Sequence, residues 1–126
     1  MSDATEQLEN PQFPEHITFG PAVGEGATPE EVGEALKAVY DPEIGINIVD
    51  LGLLYGVTKT EEGQVNVQMT LTTPACPLGP VIIDQVQYVA GRLPGVENVN
   101  VEFVWQPPWD PRTMASEEAK AELGIW

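Results

Sequence analysis

The spacing of apolar residues predicts an amphipathic helix over residues 29–40. Apolar side chains recur at i, i+4 and i+7, at Val32, Leu36 and Val39. Thr28 and Glu31 have the spacing of a capping box, in which each residue satisfies a free backbone amide of the other. The helix is expected to end at Asp41, because a residue before proline avoids the helical conformation.

Alternating apolar and polar positions predict two strands that pair as a hairpin. The first spans residues 51–60 and has apolar residues at Leu51, Leu53, Tyr55 and Val57. The second spans residues 64–72 and has them at Val65, Val67, Met69 and Leu71. The segment Glu61–Gly63 between the two runs has the composition of a hairpin turn.

The remaining pattern predicts a second helix, a third strand and a short final helix. Helical spacing is seen at Ile82, Val86, Val89, Ala90 and Leu93, before Pro94 and Gly95. Residues 99–105 alternate as a strand, which favours core packing of Trp105. Ser116 and Gly124 bracket the last helix. The order α, β, β, α, β, short α predicts a compact α+β single domain whose small sheet is covered on one face by helices.

The first 27 residues contain prolines and glycines, no Lys or Arg, and no sustained period. They predict a flexible acidic N-terminal arm over residues 1–27, followed by the folded domain over residues 28–126. The apolar residues Phe13, Ile17 and Phe19 leave open that part of the arm docks on the domain.

Charge excludes several classes of partner. The chain has 20 Asp and Glu against 5 Lys and Arg, a formal net charge of -15. Nucleic acid and anionic membranes are therefore not expected as partners, because phosphate contacts need clustered cations. No apolar run approaches the roughly 18 residues of a membrane span, and no signal peptide is evident. We expect a cytoplasmic protein.

The most informative residue for chemistry is Cys76, the one cysteine of the chain. It stands in a loop rich in Pro and Gly between a predicted strand and a predicted helix. Free amides and the helix dipole at such a position favour a thiolate. A lone cysteine can equally be a small buried apolar residue, and from the residues alone this structural interpretation stays open.

A thiolate at Cys76 has three conceivable uses. A cysteine hydrolase needs a histidine base, and the one histidine, His16, lies in the arm. A peroxide-type redox thiol usually needs a second cysteine, which the chain lacks. A soft ligand for iron, or for iron and sulfide, completed by a second chain or an external thiol, fits a chain with one cysteine best.

Other polar and aromatic residues are candidates for a supporting site. The carboxylates Asp41, Glu43 and Asp50 flank the start of the predicted sheet, although each is also an ordinary turn or cap residue. The hydroxyls of Thr70, Thr72 and Thr73 precede the cysteine loop on the predicted polar side of the second strand. Trp105 and Trp109 bracket a Pro-Pro step and are candidates for binding a partner.

Three motifs together resemble a known family. They are Asp-Pro-Glu-Ile-Gly-Ile-Asn-Ile-Val-Asp-Leu-Gly-Leu-Leu-Tyr at 41–55, Thr-Leu-Thr-Thr-Pro-Ala-Cys-Pro at 70–77 and Val-Trp-Gln-Pro-Pro-Trp at 104–109. In this order they resemble the small metal-sulfur cluster assembly family, which includes SufT maturation factors, PaaD-like proteins and the eukaryotic cytosolic iron-sulfur targeting factors. The likeness covers residues 28–126, and its C-terminal part is most similar to the SufT type, since the cysteine-rich extension of a PaaD protein is missing.

The resemblance implies a compact α+β domain and a role in iron-sulfur protein maturation without enzymatic activity. It implies that Cys76 is the reactive or ligating residue for a transient iron-sulfur cluster, with the stretch Asp41 to Glu43 as its neighbour. Scaffold, carrier and client proteins of iron-sulfur assembly are the implied partners. Since one thiolate cannot hold a cluster alone, a homodimer or ligands from another molecule are expected to complete the site. The rival hypothesis is a metal-free adaptor, or a PaaD-like complex subunit, in which Cys76 is structural.

Overall fold

The computed structural model describes residues 13–42, 44–72 and 79–125. Four strands form one sheet in the order β1-β2-β3-β4: β1 (Thr18–Phe19), β2 (Leu54–Lys59), β3 (Gln64–Met69) and β4 (Asn98–Phe103). The β2–β3 pair is antiparallel, whereas β1–β2 and β3–β4 are parallel. The sheet therefore combines the predicted hairpin with a parallel strand on each side.

The β2–β3 hairpin is confirmed, and its turn explains its register. Val57 lies opposite Val67, and both are fully buried. Gly63 closes the turn with a φ of 94°, a left-handed conformation that glycine adopts without a steric penalty. Exposed or half-buried polar residues line the other face of the sheet: Gln64, Asn66, Gln68, Asn98, Asn100 and Glu102. On β3 and β4 one face is thus left to water, as alternating patterns predict.

Two helices cover the apolar face of the sheet. Helix α1 (Pro29–Ala35) begins with the predicted capping box, in which the Thr28 and Glu31 side chains each accept from the other's backbone amide. Fully buried residues of α1, its following 3-10 turn and the later helix α3 (Gly79–Gly91) form the core against the strands: Val32, Leu36, Ile82, Val86 and Ala90. The predicted α+β class, with helices on one face of a small sheet, is confirmed.

The predicted end of the first helix at residue 40 is wrong. The α-helix stops at Ala35 and a 3-10 turn, Leu36–Ala38, follows it. Val39 is already extended, and Tyr40 forms an isolated antiparallel bridge with Asn47. The chain leaves the helix early because these residues pair with the segment that precedes the sheet.

The predicted first strand begins too early. Residues Ile48–Leu51 form a short helix, α2, whose N-cap is Asn47, and Gly52 ends it in the left-handed conformation with a φ of 90°. The apolar alternation over residues 51–57 did not mark the strand, because Leu51 belongs to helix α2. Within β2 itself, five of the six residues are buried, on both faces of the strand, so they do not alternate. The second strand also ends earlier than predicted, at Met69.

The structure differs from the predicted flexible arm over residues 13–27. Phe13 and Ile17 are buried, and β1 pairs with β2. The buried Lys59 ammonium donates to the carbonyls of Glu25, at 2.6 Å, and Ala27, at 3.0 Å. These contacts tie the segment to the domain, whereas residues 1–12 lie outside the described residues.

The C-terminal segment contains two short helices, α4 (Pro111–Met114) and α5 (Glu117–Leu123). Ser116 caps α5 and Gly124 ends it in the left-handed conformation, as predicted. The prediction that Trp105 packs in the core is wrong. Trp105 is 40% exposed, because β4 ends at Phe103. Trp109 packs against the core instead.

Candidate functional site

The structure describes some of the predicted site residues and not others. Glu43, Thr73 and Cys76 lie outside the described residues, so their predicted roles stay predictions. Asp41, Asp50, Thr70 and Thr72 are described, and so are both tryptophans of the third motif.

The connection that carries Cys76 starts and finishes at one end of the sheet. It joins Thr72, just beyond β3, to Gly79, the first residue of α3. A Cβ atom placed on Gly79 would lie 3.4 Å from Leu71 Cδ1 and 3.9 Å from the Phe103 ring. The two described ends of the connection are therefore close together, at the end of the sheet where β3 and β4 both terminate.

Two of the described candidate residues, the hydroxyl residue Thr70 and the carboxylate Asp41, are buried. Thr70 is 1% exposed and its amide donates to Leu53 O at 2.8 Å, so it does not face solvent as predicted. Asp41 is 3% exposed, and its Oδ1 accepts from the amide of Ile44 at 3.2 Å. Thr72 is half-buried. The first and second motifs thus each contain a buried polar residue, and Thr70 lies two residues before the start of the cysteine connection at Thr72.

Backbone hydrogen bonds connect Asp41 to Thr70 through the intervening segment. The amide of Asp41 donates to Ile46 O at 3.0 Å, and that of Ile48 donates to Val39 O at 2.9 Å. Leu53 in turn donates to Ile48 O at 2.9 Å. Because Thr70 is bound to Leu53, this network fixes the turn after residue 41 against the end of β3.

Asp50 lies in a different place. Its Oδ2 accepts from Asn47 Nδ2 at 2.8 Å, and its own amide donates to Asn47 Oδ1 at 2.9 Å. Asp50 lines a cleft of about 640 Å³ together with Lys37, Lys120 and Ser116, and the described lining contains neither Asp41 nor Thr70. The described side-chain contacts of Asp50 therefore give it a role in capping α2.

The Asp-Leu-Gly sequence forms the end of α2, since Asp50 and Leu51 are its last two residues and Gly52 is its C-cap. The last carbonyls of a helix lack partners within it. Here Asp50 O accepts from the Ser116 amide at 2.7 Å, Leu51 O from Trp109 Nε1 at 2.8 Å, and Gly52 O from a histidine at 3.1 Å. Gly52 is also packed closely, since a Cβ there would lie 2.6 Å from the Met114 backbone. Three remote segments are thereby held on one short helix.

The histidine is His16, which the sequence pattern placed in a flexible arm. Its ring meets the Tyr55 ring edge-on, with centroids 5.4 Å apart, and Tyr55 donates its hydroxyl to Pro107 O at 2.6 Å. Burial lowers the pKa of His16, and hydrogen bonds to backbone carbonyls of Gly52 and Leu54 partly oppose this effect. Among the described residues, the buried Nδ1 has no hydrogen-bond partner. Burial also raises the pKa of Tyr55.

This packing divides the two tryptophans of the third motif. Trp109 is partly buried and hydrogen-bonded, so its described contacts are structural. Trp105 is exposed, and its ring centroid lies 6.2 Å from that of Phe103. The prediction of a partner-binding surface therefore stays with Trp105.

The described residues supply no metal site of their own. Within 13–42, 44–72 and 79–125, no group of at least three His, Cys, Asp or Glu side chains is arranged to hold a metal ion. In the same ranges no helix has the length and apolar character needed to cross a bilayer.

Together, the fold and this arrangement define a small α+β domain whose one cysteine follows a buried strand end in the sequence. The chain belongs to the family described as iron-sulfur cluster assembly protein, whose sequence model matches residues 29–103. The resemblance seen in the three motifs is therefore confirmed.

Characterised relatives support the same assignment. The chain is 46% identical over 101 residues to the Fe-S protein maturation auxiliary factor YitW of Bacillus subtilis, covering 80% of this chain and 98% of that protein. It is 49% identical over 87 residues to the Fe-S protein maturation auxiliary factor SufT of Staphylococcus aureus, covering 69% and 98%. These relatives support assistance in iron-sulfur protein maturation over the metal-free adaptor.

Two further comparisons concern the fold and a longer protein. A crystal structure of a domain from Bacillus anthracis matches with a TM-score of 0.72 and 39% identity, covering 78% of this chain and 92% of that one. An iron-sulfur cluster carrier protein of Synechocystis is 36% identical over 81 residues, which are 64% of this chain and 23% of that protein. A similar domain thus also occurs as part of a larger protein.

Proposed function

We propose that this protein is a non-enzymatic maturation factor of the cytoplasm that holds iron-sulfur units transiently through the Cys76 thiolate and passes them to client proteins. The observation that carries the proposal is the end of the sheet, where the connection bearing Cys76 starts just after the buried Thr70 and finishes at Gly79, close to Leu71 and Phe103. A soft thiolate ligand fits a chain with one cysteine, and the relatives named as Fe-S protein maturation factors support that use.

The number of ligands makes the binding transient. An iron-sulfur cluster is generally held by about four ligands, and this chain has one cysteine. The described residues provide no cluster of donors to complete the set. The cluster is therefore cargo, held between Cys76 and thiolates of a second copy, a carrier, a client or an external thiol.

The partners follow from the same argument. A protein that supplies one ligand must meet both the donor and the acceptor of the cluster, which are carrier and client proteins. The carrier protein of Synechocystis, which includes a similar segment, supports this association by its name and its combination of domains. A reduced thiol is also consistent with a cytoplasmic location.

Anaerobic reconstitution tests the role of Cys76. Wild-type protein and Cys76→Ser would be incubated with iron and sulfide, separated from unbound reagents and compared by visible absorption, with circular dichroism as the control for folding. We expect a chromophore in the wild type and its loss in Cys76→Ser. Equal chromophores in the two folded proteins would contradict the ligand role.

Transfer tests the second part of the proposal. A client apoprotein would be added to the reconstituted wild type, and its activity and cluster content measured against a control with free iron and sulfide at equal concentration. We expect faster activation by the loaded protein. Activation no faster than in the control would contradict a role in transfer.

A further inference from the structure

Among the described residues, strand β4 is the last strand of the sheet, and one of its edges is not paired with another strand. Its amides at Asn98 and, just beyond the strand, Val104 donate towards β3, to Gly63 O at 3.3 Å and Met69 O at 2.7 Å. Successive residues of a strand direct their backbone groups to opposite sides, so Val99, Val101 and Phe103 direct theirs away from β3. In the described part of the chain, no strand pairs with β4 on that side.

The direction of these groups is supported by a side-chain contact. Gln87 of α3 donates from Nε2 to Val99 O at 3.3 Å and so covers the beginning of the edge. The strand Asn-Val-Asn-Val-Glu-Phe contains neither Pro nor Lys, the residues that commonly block pairing at an edge. The carbonyls and amides towards Phe103 are therefore suited to receive another strand.

The surface beside this edge combines apolar side chains with negative charge. Trp105 is 40% exposed next to the partly buried Phe103, and Val81, in the first turn of α3, is 44% exposed. The exposed Glu97 and Glu102 supply carboxylates before and within β4. The chain as a whole carries a net charge of -15.

Charge complementarity identifies the kind of occupant. A strand that adds to β4 would direct alternate side chains to the polar face, beside Glu102, and to the apolar side, beside Phe103 and Trp105. Lys or Arg suits the positions beside Glu102, and apolar residues suit the positions beside Phe103 and Trp105. A second copy of this chain is a poor occupant, because pairing would bring together two molecules with a net charge of -15 each.

We propose that the β4 edge is a docking site for an extended, basic segment of a partner protein, with alternating cationic and apolar residues. The segment pairs with the backbone of Val101 and Phe103 and places a cation near Glu102. This inference does not depend on cluster binding at Cys76. It assigns a surface for protein association along β4, close to Gly79, where the described chain resumes after the Cys76 connection.

Peptide binding tests the proposal. A labelled six-residue peptide of alternating Lys and Val, matching β4 in length, would be titrated with the protein and followed by fluorescence anisotropy. A peptide of alternating Glu and Val is the control. We expect the Lys peptide to bind and the Glu peptide to bind at least about tenfold more weakly, since like charges replace opposite ones. Equal binding of both peptides, or of neither, would overturn the proposal.

A pair of charge reversals locates the site. Glu102→Lys and Glu118→Lys change the net charge equally, and both residues are exposed, but Glu118 lies on α5. We expect Glu102→Lys to weaken the binding of the Lys peptide by about three- to tenfold relative to its binding to Glu118→Lys. Equal effects of the two variants would mean that only net charge matters and would overturn the proposal.

A backbone variant tests strand pairing. Val101→Pro removes an amide that points away from β3, and we expect it to abolish peptide binding while circular dichroism shows a folded sheet. Unchanged peptide binding by folded Val101→Pro would contradict pairing, and if the variant does not fold, the charge-reversal pair decides. Sedimentation of the wild type gives a further outcome: a dimer that folded Val101→Pro dissociates would make a second copy the occupant and overturn the proposal.

The same titration of Cys76→Ser keeps this proposal separate from the proposed function. Peptide binding retained by a variant that forms no cluster supports the docking site independently. A normal cluster in a protein that does not bind the peptide would overturn the docking site alone.

Discussion

The hydrogen bond from Trp109 to the end of α2 should be a measurable part of the stability of this fold. Trp109 Nε1 donates to Leu51 O at 2.8 Å, and Leu51 is fully buried. The substitution Trp109→Phe keeps an aromatic ring but removes the donor. Leu51 O then loses its partner from the C-terminal segment, although the packing of the ring is largely preserved.

The expected loss follows from the cost of an unsatisfied carbonyl. Leaving a buried acceptor without a partner costs about 1–3 kcal/mol. Native domains have a free energy of unfolding of about 5–15 kcal/mol, so this is a large fraction of the total. For a chain of this length the midpoint of thermal unfolding should fall by about 3–6 °C for each kcal/mol lost.

Urea unfolding followed by far-ultraviolet circular dichroism measures the effect without relying on tryptophan fluorescence, which the substitution alters. Trp105→Phe is the matched control, because Trp105 is 40% exposed and follows an edge strand. It should change the free energy of unfolding by no more than about 0.5 kcal/mol. A loss in the free energy of unfolding below that amount for Trp109→Phe would refute the role of this hydrogen bond. An equal loss for Trp105→Phe and Trp109→Phe would refute it as well.

Two other substitutions examine the same region. Gly52→Ala should lower the free energy of unfolding by about 2–5 kcal/mol, about 1–2 from its left-handed backbone and about 1–3 from overlap with Met114, whose backbone lies 2.6 Å from the new Cβ. Gly45→Ala separates these contributions in the same urea assay, because Gly45 has a φ of 82° but no described atom within 4 Å of the new Cβ, and equal losses would exclude the overlap. For His16, burial lowers the pKa in the folded state, so the unfolded chain binds the proton first and stability falls as the pH decreases below about 6.5, the model-compound value. His16→Gln should therefore lose less stability than the wild type between pH 7 and about pH 5.5, above the range where most carboxylates titrate, and equal losses would contradict this role of His16.

Local signals were sufficient for much of the fold. The Thr28 and Glu31 capping box, the turn at Gly63 and the cap at Ser116 each depend on residues close in sequence, and the structure contains all three. The class of fold followed from the order of these elements. The α+β domain could therefore be predicted before any tertiary contact was known.

Features that depend on distant residues could not be predicted in the same way. Strand β1 has two residues and exists because it pairs with β2, far along the chain. Helix α2 has four residues, too few for a periodic pattern, and is supported by Ser116, Trp109 and His16. The positions of Phe13 and Ile17 gave the one local hint that the segment around His16 packs on the domain.

The contrast between local signals and contacts of distant residues also helps to separate structural from functional residues in the motifs. Asp50 and Gly52 have a sufficient structural explanation, because they form α2 and receive the C-terminal segment. Asp41 is different: a turn needs no buried carboxylate, and Asp before Pro is ordinarily found at the surface. Asp41 and Thr70 are both buried, and Thr70 lies two residues before the start of the Cys76 connection. Within the motifs, the functional argument therefore rests on Asp41, Thr70 and Cys76 rather than on the more prominent Asp-Leu-Gly sequence.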